Sequence, residues 1–190
     1  MAEEIGSNAH RGYIFLSGLV LLAAAVGGSA SPAQWRQRIG SLATRVFERQ
    51  RGVDPRTHGA RTRRALNVAG VHGEAIAGLP SVFDRGLPAF RRGLATLASP
   101  QAAGHYAMAA LMQSVEDTTT LHRAGRGGLA RLRRDGAEIQ GLIEAGRDHL
   151  SALAALNAEY RAADLTMGGV ADCLALTFAL HKILEPDRAR

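Results

Sequence analysis

Residues 168–183 read GGVADCLALTFALHKI. After the two glycines the segment is apolar on nearly every side, broken by Asp172 near its start and by His181 and Lys182 near its end. A helix without a polar face needs cover from water all round, so it belongs in the middle of other helices. The stretch therefore predicts an apolar central C-terminal helix and, around it, an all-α multi-helix bundle. Composition points the same way: hydrophobic residues make up 46% of the chain and aromatics only 5%, so Ala and Leu must fill the core. Those side chains lose little on entering a helix, whereas strands favour β-branched and aromatic residues. At 190 residues the chain can bury one substantial core. No repeat, low-complexity tract or linker divides it, and residues 1–190 are expected to form a single all-α domain.

Punctuation gives about eight helices. Ser31-Pro32 and Ser99-Pro100 each place a capping hydroxyl before a proline whose missing N–H costs nothing in a first turn. Helices are expected near 11–27, 32–51, 57–69, 81–97, 100–115, 126–146, 148–163 and 168–185. Leu129, Leu132, Ile139 and Ile143 follow the 3,4 spacing of an apolar stripe, with Gly136 on the same line as a point of close approach. Leu150, Leu153 and Tyr160 mark a second stripe, with Asn157 on it.

The formal net charge is +6 and the isoelectric point about 10.6, carried almost wholly by Arg, since Lys182 is the one lysine. A basic surface suits any polyanion, and Arg favours phosphate because its planar fork binds two oxygens at once. The basic run Arg131, Arg133, Arg134 reads as a solvated helix face; with no interleaved aromatics or nucleic-acid module, binding to RNA or DNA is not expected. Cys173 is the single cysteine, so no intrachain disulfide forms, and its apolar neighbours mark an inert buried thiol. Residues 13–28 (YIFLSGLVLLAAAVGG) imitate a signal peptide, but Glu3 and Glu4 precede them where positive charge belongs, and the run is shorter than the ~20 residues of a membrane span. A buried core helix is the better reading. His58, His105, His149 and His181 lack metal-ligand spacing.

Chemistry is confined to four polar, glycine-containing clusters at turn-to-helix junctions: residues 8–12 (NAHRG), 70–80 (GVHGEAIAGLP), 116–125 (EDTTTLHRAG) and 168–172 (GGVAD). Free backbone N–H groups and the helix dipole attract anions at such junctions. Singly each is most simply a helix cap. Together they set the carboxylates Glu74, Asp117 and Asp172 beside Arg11, Arg123 and Arg126, a mixture suited to a Mg²⁺-bound polyphosphate. No Gly-Lys-Ser/Thr loop and no βαβ dinucleotide turn accompanies them.

In order and spacing the clusters resemble the triphosphoribosyl-dephospho-CoA synthase family. Residues 8–22 are similar to its Asn-Thr-His-Lys/Arg-Gly-Ala-Ile-Phe segment, and residues 70–82 to Gly-x-Arg-Gly-Glu-Ala-x-x-Gly-Phe-Pro. Residues 117–128 resemble Asp-Thr-Asn-x-x-x-Arg-Gly-Gly, and residues 168–180 resemble Pro-Gly-Gly-Ser-Ala-Asp-Leu-Leu-Ala. Where that pattern has Arg, Pro and Ser this chain has His72, Met167 and Val170, and Arg-Gly-Gly has become Arg123-Ala124-Gly125. The resemblance implies that residues 1–190 correspond to the family's central and C-terminal part, its Lys-Pro-Gly and His-Asp-Met segments lying further upstream.

The implied reaction joins the ribose of ATP to the 2′-hydroxyl of 3′-dephospho-CoA, releasing adenine and keeping the triphosphate, for the prosthetic group of malonate decarboxylase or citrate lyase. Glycosyl transfer of this kind develops oxocarbenium character, so carboxylates are wanted near the sugar and cations around the phosphates. On this reading Asp117 or Glu74 takes the hydroxyl proton or, alternatively, ligates Mg²⁺, two roles that sequence does not separate. Asp172 holds Mg²⁺ or a hydroxyl, and Asn8, His10, Arg11, Arg123, Gly168 and Gly169 bind nucleotide phosphates. The implied partners are ATP and 3′-dephospho-CoA, in a cytoplasmic setting without membrane or nucleic acid; a homodimer is compatible. The competing reading is a truncated, non-catalytic helical relative that binds a nucleotide or a partner subunit.

Overall fold

A computed structural model describes residues 11–26, 30–49 and 68–185. Among these residues all regular structure is helical, as the Ala/Leu composition requires. The order is α1 (Arg11–Ala25), α2 (Pro32–Arg49), α3 (Gly70–Ile76), a π-helical turn (Ser81–Gly86), α4 (Leu87–Thr96), α5 (Pro100–Ser114), α6 (Thr118–Glu144), α7 (His149–Ala162) and α8 (Gly168–Leu184). The helix expected over 57–69 falls almost wholly outside the described residues.

The caps work as the Ser-Pro pairs predict. Ser99 Oγ accepts from Ala102 N at 3.1 Å. Ser31 forms a reciprocal box with Gln34: the serine hydroxyl accepts from Gln34 N at 3.3 Å, and Gln34 Oε1 accepts from Ser31 N at 2.8 Å.

Helix α8 packs against α1, the π turn, α4, α5 and α6, the surroundings expected of a central helix, although Phe178 and Ile183 stay partly exposed. Helix α5 shares the centre, its close neighbours α4 and α6 meeting it through glycines. A Cβ on Gly93 would lie 2.7 Å from the Cα of Ala103, and one on Gly136 would lie 2.7 Å from the Cβ of Met112. The stripe Leu129, Leu132, Ile139 and Ile143 is buried as its spacing predicts.

Four local expectations are corrected. The helix beginning at residue 81 starts as a π turn rather than an α-helix. The helix expected from residue 126 is present beyond a break at Gly125, which takes φ 61° and ψ −162°, but residues 118–124 before that break are helical where a turn is expected. Residues 70–76 form a short helix where a loop is expected. On α7, Tyr160 is buried but Leu150 and Asn157 are exposed, so that asparagine needs no buried partner.

Candidate active site where four helices begin

Asp117 is the residue on which the region is built. It is the N-cap of α6, with a side chain that is completely buried. Its Oδ1 accepts from Thr119 N at 2.9 Å, from Thr120 N at 3.0 Å and from the Thr119 hydroxyl. Its Oδ2 accepts from Val170 N at 2.9 Å, in the first turn of α8. One carboxylate thus caps two helices. Thr119 repeats the pattern, since its hydroxyl also accepts from Gly168 N at 3.0 Å, and Thr120 Oγ1 donates to Thr166 O at 2.6 Å. The close approach needs Gly168 and Gly169: a Cβ on Gly168 would meet Thr119 Oγ1 at 2.9 Å, and one on Gly169 would meet Asp117 Oδ2 at 3.2 Å. Helix α8 has no side-chain cap of its own at Met167; α6 supplies its caps.

Glu74 occupies the middle of α3 and is half-buried. The chain turns back immediately after this helix, with Gly78 at φ 74° and Leu79 at φ 60°. Leu79 is a branched residue in the left-handed region, a costly conformation for it. The turn brings Ser81 onto both oxygens of the glutamate: Ser81 N donates to Oε1 and Ser81 Oγ to Oε2, each at 2.8 Å. Burial pushes the Glu74 carboxyl above its ordinary value, opposed by the two Ser81 bonds. A carboxyl gripped in this way has one defined orientation and a proton affinity shifted towards neutrality, which suits a general base.

Asp172 is half-buried on α8 and touches the start of α1: a Cβ on Gly12 would lie 2.6 Å from Asp172 Oδ2. The three carboxylates share one neighbourhood. Cys173, buried and next to Asp172 in the chain, has its thiol pushed well above the ordinary range, first by burial and then by the negative charges of Glu74, Asp172 and Asp117. The helix starts meet as well. Ala69 N donates to Glu116 Oε2 at 3.2 Å, and a Cβ on Gly70 would lie 2.7 Å from Thr118 Cγ2, so the beginning of α3 abuts that of α6.

The described parts of all four sequence clusters are therefore in contact. Asn8 and His10 lie outside the described residues, as does the side chain of Arg11, which opens α1. Arg123 is exposed, and its Nη1 is paired with Asp164 Oδ1 in the turn before α8. His72 stacks on Phe47 of α2 with ring centroids 3.6 Å apart. Among the described residues no three His, Cys, Asp or Glu side chains form a ready-made metal cage. A nucleotide-borne Mg²⁺ asks for less, one or two carboxylates plus phosphate oxygens and water, and Glu74 and Asp172 are chemically suited to that.

Two residues that sequence reasoning did not single out do much of the positioning, Thr119 and Ser81. Both stand inside quoted segments. A hydroxyl two residues after a capping Asp is a legible signal for Thr119; nothing local announces that Ser81 folds back seven residues.

The fold and this arrangement define a class: an all-helical protein that gathers carboxylates and backbone N–H groups where four helices begin. The family model for ATP:dephospho-CoA triphosphoribosyl transferase matches residues 1–190, and the chain belongs to that family. It is similar to the probable 2-(5''-triphosphoribosyl)-3'-dephosphocoenzyme-A synthase of Azotobacter vinelandii, 38% identical over 190 residues that cover 98% of this chain and 64% of that protein. The proteins of the same name from Stutzerimonas stutzeri and Pseudomonas aeruginosa are 35% and 36% identical, each across 94% of this chain and 61% of their own length. The chain thus spans about three-fifths of the length of the curated relatives it matches. No solved structure matches it. No described helix is long and apolar enough to cross a membrane.

Proposed function

We propose that this chain carries the site of a triphosphoribosyl transfer: the ribose C1′ of ATP forms a bond to the 2′-oxygen of 3′-dephospho-CoA, its bond to adenine breaks, and the triphosphate stays on the sugar. The observation that carries the reading is the contact between helix starts far apart in the chain: Asp117 caps α8 at Val170, Gly70 of α3 abuts Thr118 of α6, and Gly12 of α1 lies against Asp172. Glu74 is the base that takes the 2′-hydroxyl proton, because it is the carboxylate with raised proton affinity and a fixed orientation. Asp117 is the scaffold, its oxygens already accepting four hydrogen bonds. Asp172 would hold the Mg²⁺ that the triphosphate brings, which would neutralise charge at the phosphates; Glu74 as a metal ligand is the alternative to Glu74 as base, not an addition to it. Gly168, Gly169, Asn8, His10 and Arg11 bind the triphosphate. Arg123 serves by exchanging Asp164 for a phosphate oxygen. The negative field of the carboxylates favours the cationic sugar of the transition state. The setting is cytoplasmic, in prosthetic-group assembly for malonate decarboxylase or citrate lyase.

The test is release of free adenine from ATP, Mg²⁺ and 3′-dephospho-CoA by the purified chain. Release that needs both substrates and disappears in Glu74→Gln is the expected result; release unchanged in that variant refutes the role of Glu74. A second reading, a non-catalytic relative that binds nucleotide or a partner subunit, is favoured by the altered motif Arg123-Ala124-Gly125. ATP binding without any adenine would support it.

A further inference from the structure

Two histidines that stand 44 residues apart in the chain meet in the fold. His105 Nδ1, on α5, faces His149 Nε2, at the start of α7, across 3.2 Å, with ring centroids 5.3 Å apart and ring planes at 68°. Both residues are half-buried, so packing orients them while a small ion can still reach them. Helix α7 is loosely anchored, Tyr160 being the buried residue among its 14. At its C-terminal end Tyr160 Oη donates to Asp135 Oδ2 at 2.7 Å and Glu159 pairs with Arg131, both on α6. At its N-terminal end the histidine pair links it to α5.

We infer that His105 and His149 form a two-imidazole site for Zn²⁺, which staples the start of α7 to α5. The separation of the nitrogens selects the ion. Tetrahedral zinc holds ring nitrogens about 2.0–2.1 Å away, which sets two of them about 3.3 Å apart. Neighbouring ligands of a square-planar ion at similar bond lengths stand about 2.9 Å apart, and Mg²⁺ and Ca²⁺ prefer oxygen. At 3.2 Å two N–H groups cannot point at each other, so one facing nitrogen at least is already a bare acceptor. The other exposes its lone pair when its ring moves the proton to the far nitrogen, and no proton is lost. Burial, and then His149, hold His105 below its ordinary proton affinity, in the neutral form that ligates. Asp148 caps α7 and places a negative charge beside His149, offsetting the positive helix start. Among the described residues no third His, Cys, Asp or Glu joins the pair, so water completes the shell. With two of the four ligands of a zinc finger, the dissociation constant should be on the order of 10 µM.

The test is zinc titration of the tag-free full chain after treatment with a chelator. One zinc should bind per chain. Zinc at tenfold its dissociation constant should raise the melting midpoint by about 3 °C, and Mg²⁺ at the same concentration should not. His105→Gln and His149→Gln, studied separately, should each weaken zinc binding at least tenfold and abolish the shift. In the wild type the ring signals of His105 and His149 should move together in NMR spectra, a readout that holds even if neither variant folds. Absence of zinc binding overturns the proposal and leaves a hydrogen-bonded pair. Zinc binding kept in both variants, or ring signals that stay still, also overturns it by assigning the ion to other histidines. So does one zinc per two chains with dimers in sedimentation, which makes the ion a bridge between copies. Adenine release is not read in any arm, so failure here is distinct from failure of the proposed reaction.

Discussion

Replacing Asp117 with Asn separates a structural carboxylate from a chemical one. The amide can keep its oxygen where Oδ1 now stands, accepting from Thr119 N, Thr120 N and the Thr119 hydroxyl. Its NH₂ then faces Val170 N, a donor against a donor, at a backbone site that is wholly buried. The flipped amide is worse, with NH₂ against three donors. The loss is one charge-assisted hydrogen bond plus a buried N–H left unpaired, about 3 kcal/mol. A chain of 190 residues has an unfolding entropy near 0.4 kcal/mol per kelvin, so the midpoint should fall by about 7 °C. Differential scanning calorimetry of wild type and Asp117→Asn reads this directly. A midpoint within about 1 °C of wild type refutes the reasoning. If activity were lost at that unchanged stability, Asp117 would act on the substrate and not on the fold.

Ser81→Ala removes a hydroxyl that stabilises the charged form of Glu74, so the carboxyl pKa rises further above its ordinary value. A base must be deprotonated, and the acidic limb of the pH–rate profile should therefore move to higher pH, with Ser81→Thr restoring it; an unmoved limb would dissociate Ser81 from the base. The sign for stability is opposite to that of an ordinary salt-bridged acid. A carboxyl whose folded pKa is raised favours the fold below its unfolded pKa and loses that contribution as pH rises through the folded value. Glu74→Gln should flatten this part of the stability–pH curve, and an unchanged slope in urea titrations would contradict the assignment. Gly93→Val places side-chain carbon where a Cβ already meets the Ala103 backbone at 2.7 Å. It should cost on the order of 1–3 kcal/mol by forcing α4 and α5 apart, and a neutral result in chemical denaturation would mean the helices slide without penalty.

The helices were legible because their causes are local. Ser31 and Ser99 announce their starts, Ala and Leu set their content, and the apolar stripe with Gly136 fixes the inward face of α6. What sequence reasoning missed depends on distant partners. The helical stretch from Thr118 to the break at Gly125 is held by Asp117, which caps it and also reaches α8 across 53 residues. The π turn and the left-handed Leu79 have no favourable local signal; tertiary packing holds them, with Val82 and Leu79 fully buried. At the site, the carboxylates could be picked out as residues beside glycines, but their division of labour could not. Asp117 and Glu74 look alike in sequence, and what separates them among the described residues is the donors that reach them, four groups spread over two helices for one and both donors of Ser81 for the other.

The central claim is that helix starts far apart in the chain make one ligand site. Backbone amide shifts on titration with MgATP test it without requiring turnover. The account predicts that Gly70, Thr118 to Thr120 and Gly168 to Val170 shift together with a single dissociation constant. Shifts confined instead to the polar groove of about 540 Å³ lined by Arg36, Ser41, Thr44 and Arg45 would contradict it.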